Sequence, residues 1–340
     1  MTDQTSRKIV LASRPQGRPT PENFRVETGQ IPTPNDGEVL VQVKFLSLDP
    51  YMRGRMSDAK SYAAPVQIGQ VMEGGTVAEV LDSRDPDFKK GDVVLAYAGW
   101  QTHAVVKGKS LRKVDTGSEP ISTALGVLGM PGFTAYAGLL TIGKPKAGET
   151  VVVAAATGPV GSAVGQIAKI KNARAVGIAG GEKKVALLRE KFGFDVALDH
   201  KAPDFAEQLK KACPSGIDVY FENVGGPVWE AVLPLLNNFA RVPVCGLVSG
   251  YNAQGGATEG PDRMPGLMRD VLTKRLTIHG FIQTDYKDQQ AQFEKDMTGW
   301  VQDGRVKYLE DVVDGLENAP EAFIGLLEGK NLGKMVIKVA

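Results

Sequence analysis

Val151-Val-Val-Ala-Ala-Ala-Thr-Gly-Pro-Val-Gly-Ser-Ala-Val-Gly165 decides the fold. Its first half, entered from Glu149-Thr150, is a short apolar run ending at a glycine turn, which reads as a strand buried on both faces. From Pro159 onward the pattern changes period. Val160, Val164, Ile167 and Ala168 recur at three-to-four spacing and share one face of a helix running to Lys171. Between the two lies Ala155-x-x-Gly158-x-x-Gly161, a variant of the dinucleotide fingerprint with Ala at its first position. A pyrophosphate needs a turn free of side chains to approach the N–H groups at a helix N-terminus. Such a spacing alone marks only a turn; the strand–turn–helix context makes it a cofactor-binding turn.

Working outward, Ala175–Ala179, Val196–Asp199, Ile217–Phe221 and Arg241–Cys245 read as further strands, with helical stretches such as Glu182–Phe192 between most of them. Leu276–Phe281 reads as the last strand. Strands alternating with helices at this spacing predict an α/β, doubly wound parallel sheet of Rossmann type over residues 126–285. Its second strand does not end in the Asp or Glu that commonly holds a ribose 2′-hydroxyl. It runs into Ala179-Gly-Gly-Glu-Lys-Lys184 instead. A 2′-phosphate needs cations and little bulk, and Lys183 and Lys184 stand where the dipole of a helix's first turn disfavours cations. NADP(H) is favoured over NAD(H).

The flanks read differently. Gly37–Lys44, Val71–Val80 and Phe88–Leu95 are short strands punctuated by Gly and Asp, which suggests a small barrel in residues 1–125. Ser13–Pro34, with its five prolines, reads as an extended surface arm. The tail, residues 286–340, returns to the pattern of the first 125 residues. Within it, Asn318-Ala-Pro-Glu321 resembles a capping box opening a helix, and Gly333–Ala340 closes as a strand.

The chain has 340 residues, 40 Lys plus Arg against 39 Asp plus Glu, and a net charge of +1. That balance argues against a nucleic-acid or anionic-membrane partner. Its two cysteines, Cys213 and Cys245, allow neither a disulfide framework nor a four-cysteine zinc site. No run approaches the ~18 apolar residues of a membrane span, and Met1–Lys8 lacks the apolar core of a signal peptide, so the cytoplasm is expected. His103 and His279 read as strand residues and Cys245 as a small apolar residue; Arg53 and Arg55 read as members of surface ion pairs, with contact to substrate or phosphate as the alternative.

Leu48-Asp-Pro-Tyr-Met-Arg-Gly-Arg55, Ala156-Thr-Gly-Pro-Val-Gly161, Phe221-Glu-Asn-Val-Gly-Gly226, Cys245-Gly-Leu-Val-Ser-Gly-Tyr251 and Asn331-Leu-Gly-Lys334 carry a family resemblance. With them the chain resembles the zinc-free medium-chain dehydrogenases/reductases, in the group of leukotriene 12-hydroxydehydrogenase, prostaglandin reductase, plant double-bond reductases and curcumin-reductase-like enzymes. The resemblance implies a GroES-like catalytic domain from 1–125 and 286–340 around the Rossmann domain. It also implies NADPH-dependent reduction of the C=C bond of α,β-unsaturated ketones and aldehydes. By motif, Thr157, Gly158, Pro159 and Val160 would cradle pyrophosphate, Lys184 would pair with the 2′-phosphate, and Gly161 and Gly180 would also belong to the cofactor site. Asn223, Cys245, Gly246, Ser249, Tyr251, Phe281, Ile282, Gln283 and Asn331 would complete the cofactor site. His200 stands where the family often has Tyr beside the adenosine ribose. Family members are often homodimers joined through the nucleotide domain.

The zinc-dependent branch places a Gly-His-Glu string where this chain reads Val71-Met-Glu73, and Met72 cannot replace a zinc-ligating imidazole. Conjugate addition to an enone needs no metal; it needs a donor for the developing enolate oxygen. Tyr251 is the first candidate by family position and Tyr51 the second, as donor or pocket wall, while the cofactor's ribose hydroxyl is an alternative. Two other readings stay open: a zinc-free quinone reductase, and a protein that senses NADPH without turnover. The glycine-rich stretch from Tyr251 to Arg263 is expected to act as a lid over substrate.

Overall fold

The computed structural model describes residues 5–253 and 263–340. Gln254 to Asp262, most of the expected lid, lie outside the described residues. The chain divides into two compact units, Met1–Gly126 with Glu310–Ala340, and Val127–Leu309.

The first unit is built on a seven-stranded sheet in the order Glu310–Asp314, Lys334–Lys338, Glu38–Ser47, Thr76–Ser83, Val93–Ala96 and Arg112–Lys113, with His103–Lys107 also paired to Glu38–Ser47. The C-terminal strand lies antiparallel to Glu38–Ser47, Val336 opposite Ser47, so the two ends of the chain make one sheet. Thr76–Ser83 begins later than the apolar pattern suggests, because Gly74 and Gly75 interrupt it. The proline-rich arm contains a strand after all. Phe24–Gln30, a stretch without proline, pairs antiparallel with Thr5–Leu11. Phe24 then stacks on Trp100 at 5.5 Å, and Phe323 of the C-terminal helix Ala319–Leu327 meets Trp100 edge-on at 5.7 Å. That helix forms, but without the expected capping box. Leu316–Asn318 is already a 3-10 turn, and the Asn318 side chain turns back to donate to the Asp314 carbonyl at 2.7 Å.

The second unit is a six-stranded parallel sheet in the order Val196–Asp199, Arg174–Ala179, Thr150–Ala154, Ile217–Phe221, Leu236–Val244, Thr277–Gly280. Strand order reverses at Thr150–Ala154, the first strand of the unit, which makes the fold doubly wound. Val151 and Val153 of this strand sit in one apolar core, Val152 and Ala154 in the other, as a period of two requires of a strand covered on both faces. Each fully buried valine contributes roughly 1.5–3 kcal/mol. Helix Pro159–Ile170 buries Val164, Ile167 and Ala168 on the first of these faces, with Val160 partly buried at its edge.

The second unit runs on to Leu309, past residue 285 where the sequence reading ends it. Helix Gln290–Gln302 carries Phe293, Met297, Trp300 and Val301 into the core that holds Phe133 and Tyr136. The Tyr136 hydroxyl donates to Asp296 at 2.7 Å. Gln166 then holds the end of the segment, accepting from the Lys307 N–H at 2.7 Å and donating to its carbonyl at 2.9 Å. Among the described residues, no helix is long and apolar enough to cross a membrane.

Candidate functional site

The phosphate turn begins with a strained residue. Ala155 adopts a left-handed backbone, φ 51°, which costs a residue with a Cβ roughly 1–2 kcal/mol. The strain turns the chain sharply off strand Thr150–Ala154, and Gly158 then starts the helix in extended conformation, φ −63° and ψ 166°. Pro159 has no N–H to leave unmet in the first turn. The N–H groups of Val160 and Gly161 are among those a helix cannot satisfy itself, and they suit an anion. Thr157 is buried beneath the turn. Gly161 must be glycine: a Cβ there would lie 2.5 Å from the Ala155 carbonyl oxygen and 2.7 Å from Ala156 Cα, both backbone atoms. The turn is therefore a side-chain-free cradle at a helix N-terminus, and it fits a dinucleotide pyrophosphate.

The neighbouring strand Arg174–Ala179 ends in Gly180 and Gly181, the latter at φ 93°, and helix Glu182–Glu190 follows with Lys183 exposed and Lys184 half-buried in its first turn. The next strand brings His200 alongside, its N–H donating to the Ala179 carbonyl at 3.0 Å. His200 Nε2 and Lys201 Cε would lie 2.9 and 3.2 Å from a Cβ at Gly180, so both side chains cover that glycine. Partial burial pushes Asp199 upward, but the Gly181 and Lys201 N–H groups and the nearby cations outweigh it, and the carboxyl ends below its ordinary value. No acidic side chain ends the second strand, and cations gather there. This end fits a 2′-phosphate.

A buried carboxylate, Glu222, organises the rest of the sheet end. Its Oε1 accepts from the N–H groups of Val224 and Gly225 at 2.7 and 2.8 Å and from the Tyr220 hydroxyl at 3.0 Å. Burial pushes its pKa up against the pull of these donors. Its carbonyl accepts from the N–H of Cys245 at 3.0 Å and of Gly246 at 3.3 Å. The next residue, Asn223, donates through Nδ2 to the Ala154 carbonyl at 2.8 Å, and its own carbonyl accepts from the Val248 N–H at 3.2 Å. Ser249 closes the loop through its N–H and hydroxyl, both on the Val224 carbonyl, at 3.0 and 2.5 Å. The Tyr251 hydroxyl folds back until it would lie 3.2 Å from a Cβ at Gly246. Thus Asn223, Cys245, Gly246, Ser249 and Tyr251 converge beside the phosphate turn. Phe281, buried edge-on against Phe221 at 6.2 Å, leads into Ile282 and Gln283 at the end of the last strand. Burial pushes the Cys245 thiol up to about 12, so its backbone rather than its sulfur serves the loop.

Tyr51 and Asn331 belong to the first unit. Asn331 donates to the Gly333 carbonyl at 2.7 Å, in the turn before the last strand. Tyr51 sits on a turn held by a buried ion pair. Lys334 Nζ donates to Asp49 Oδ1 at 2.9 Å and to the Leu48 carbonyl at 2.7 Å, and the Ser47 hydroxyl donates to the other Asp49 oxygen. The Tyr51 hydroxyl pairs with that of Tyr97, and burial above all, then the charge of Asp49, drives the Tyr51 pKa far above the ordinary phenol value. Arg55 lies over the rings of Tyr62 and Tyr51, at 4.5 and 5.5 Å, and meets Glu73 at 3.4 Å. The ion pair expected of Arg55 therefore forms, but neither arginine lies at the surface. Arg53 and Arg55 are buried, and Arg53 donates to the Gly17 carbonyl at 2.7 Å rather than to an acid, because the short helix Met52–Arg55 packs both side chains inward. His103 is a buried strand residue whose Nδ1 lies 3.0 Å from the Thr102 hydroxyl, and His279 lies on the exposed last strand.

Glu222, Tyr97 and the Asp49–Lys334 pair had no assigned role in the sequence. Glu222, Asp49 and Lys334 all lie inside the motif strings, and that is the only signal that marks them. Tyr97 had none. Met72 is fully buried, and among the described residues no group of three or more His, Cys, Asp or Glu side chains is placed to hold a metal ion.

Residues 7–114 match a family described as the N-terminal domain of oxidoreductase, and residues 159–302 one described as zinc-binding dehydrogenase. The chain is 59% identical to the NADPH-dependent curcumin reductase of Escherichia coli over 338 residues, 99% of this chain and 98% of that protein. It is 40% identical to the NADP(+)-dependent 2-alkenal reductase of Nicotiana tabacum, covering 100% of this chain and 99% of that one. The crystal structure of CurA from Vibrio vulnificus in complex with NADPH superposes with a TM-score of 0.95 at 58% identity, over 98% of this chain and 99% of that one. With the fold, the phosphate turn and these likenesses in agreement, the chain belongs to the medium-chain dehydrogenase/reductase family, in its zinc-free group of curcumin, prostaglandin and alkenal reductases.

Proposed function

We propose that the chain reduces the C=C bond of α,β-unsaturated ketones and aldehydes with NADPH and without a metal. One observation carries the reading beyond its relatives' names. The Cys245–Tyr251 loop, tied to Glu222, Asn223 and Val224, sets a tyrosine hydroxyl at the sheet end that bears the phosphate turn.

When bound, the nicotinamide supplies hydride to the substrate's β-carbon. The chain's own residues do the rest. Thr157 to Gly161 bind pyrophosphate, Gly180, Lys184 and His200 take the 2′-phosphate end, and Asn223, Cys245, Gly246, Ser249 and Phe281 to Gln283 complete the cofactor site of the second unit, to which Asn331 of the first unit is assigned by its motif alone. Tyr251 donates a hydrogen bond to the carbonyl oxygen as it gains enolate charge, a form of stabilisation that grows along the reaction. Tyr51 is the second donor or a wall of the substrate pocket.

The purified protein is expected to consume NADPH with 4-phenyl-3-buten-2-one or an alkenal, and to prefer NADPH to NADH. Tyr251→Phe is expected to lower kcat about 10- to 100-fold, at or below the usual worth of one such donor. Turnover of quinones but of no enone or enal would transfer the chain to the quinone-reductase reading. Tight NADPH binding with no turnover at all would leave a sensor.

The same reading includes a cytoplasmic homodimer. Two free cysteines suit a reducing compartment. Strand Thr277–Gly280 is the exposed last strand of its sheet, and helix Met264–Lys274 before it exposes Met268 and Leu272, the latter 75% exposed. An open edge beside apolar side chains is a template for a second copy. Sedimentation equilibrium should give a dimer that Leu272→Lys with Ile278→Lys weakens; a monomeric wild type would end this part of the reading.

A further inference from the structure

We infer that His200 is a specificity-determining residue that binds the 2′-phosphate as an imidazolium, so that the preference for NADPH over NADH is linked to a proton. The inference deepens the NADPH reading and rests on it. Its basis is the geometry around Gly180. In doubly wound sheets the ribose of the adenosine half lies at the end of the second strand. Here that end is a glycine pair, and His200 Nε2 and Lys201 Cε both converge on the space above Gly180. Nothing larger than glycine fits under the imidazole without moving it.

The charged groups acting on His200 are Asp199 and Lys201 on its own turn and Lys184 on the helix that follows Gly181. Partial burial and the two lysines push the imidazole below its ordinary value, while Asp199 pulls the other way. The imidazole is therefore mainly neutral at pH 7 before an anion arrives. A neutral imidazole offers one donor, whereas an imidazolium offers two donors and a charge. A phosphate dianion set among Lys184, Lys201 and His200 rewards the charged form and raises its pKa.

The sign of the linkage follows. Binding that raises a pKa takes up protons between the free and bound values, so affinity falls as pH rises through that window and is flat outside it. NADH lacks the 2′-phosphate and does not engage the switch. The 2′-phosphate itself takes a proton near pH 6. A His200→Gln variant keeps that titration and loses only the imidazole's.

The test is to measure Kd for NADPH and for NADH by fluorescence from pH 6.5 to 8.5 in the wild type, His200→Gln and His200→Tyr. The wild-type ratio of Kd for NADH to Kd for NADPH is expected to fall roughly three- to tenfold from about pH 6.5 to 8.5, within the tenfold that one unit of linked pKa is worth. Both variants are expected to show a flatter ratio. Calorimetry near pH 7, in buffers of different ionisation enthalpy, should show NADPH binding taking up more protons in the wild type than in His200→Gln. Superimposable ratio profiles for wild type and variants would overturn the inference and leave the NADPH reading intact. A wild type that fails to prefer NADPH at any pH would overturn both.

Discussion

The turn Ala155–Gly161 in the second unit and the turn Leu48–Tyr51 in the first are built by different means. The phosphate turn is held by the backbone: a left-handed Ala155, an extended Gly158, and a Gly161 whose missing Cβ lets helix and strand touch. Every part of it lies within seven consecutive residues. The Tyr51 turn is held by side chains, chiefly a lysine 285 residues away in sequence that ends on Asp49. One kind of site is specified by what the chain leaves out, the other by what it brings in from far away. The two should fail differently.

The larger failure belongs to the Tyr51 turn. Lys334 and Asp49 are buried, and each is the other's charge partner. Lys334→Ala strands a carboxylate inside the first unit and is expected to cost about 3–5 kcal/mol, read as a fall in denaturant midpoint. Replacing both, Lys334→Met with Asp49→Leu, should recover most of that loss, because a well-packed apolar pair often matches a buried ion pair. A single variant as stable as the wild type would mean that the strength of this turn lies elsewhere than in its ion pair.

The phosphate turn is expected to lose less stability and more function. Gly161→Ala forces a Cβ against two backbone atoms that no rotamer change can move, at about 1–3 kcal/mol for an overpacked site. Its NADPH affinity should fall further than its stability, since the shift moves the N–H groups that face the anion. Gly250→Ala is the internal control, because open space surrounds a Cβ there and about ±0.5 kcal/mol is expected. Equal stability for both variants would remove the steric argument for Gly161.

This difference also explains what the sequence made legible. The six strands of the parallel sheet and the cofactor turn leave local traces: a period of two, a period of 3.6, and glycines where backbone must approach backbone. The return of the tail to the first unit was legible from its residue pattern, but the point of return was not. Helix Gln290–Gln302 reads equally well in either unit until Phe293 and Trp300 are seen in the core beside Tyr136. Arg53 and Arg55 misled for the same reason. An arginine in a four-residue helix looks exposed until Gly17 and Glu73 arrive from other segments to receive it. Glu222 lay in a motif string, yet nothing local says that a carboxylate there is buried and accepts two N–H groups.

The smallest expected effect separates the two tyrosines. Tyr97 is 58% exposed, and its hydroxyl meets that of Tyr51. Tyr97→Phe removes one hydrogen bond and is expected to cost only about 0.5–1.5 kcal/mol of stability. Its kinetic effect depends on which tyrosine donates to the enolate. If Tyr251 is the donor, Tyr51 and Tyr97 shape the pocket, and Tyr97→Phe raises KM a few-fold with kcat unchanged, since it removes binding common to substrate and transition state. If Tyr51 is the donor, Tyr97 fixes the direction of its proton, and the same variant lowers kcat and kcat/KM together. Steady-state kinetics of Tyr97→Phe beside Tyr51→Phe and Tyr251→Phe distinguishes the two. A fall in kcat for Tyr97→Phe, with Tyr251→Phe near wild type, would move the donor from the loop held by backbone to the turn held by side chains.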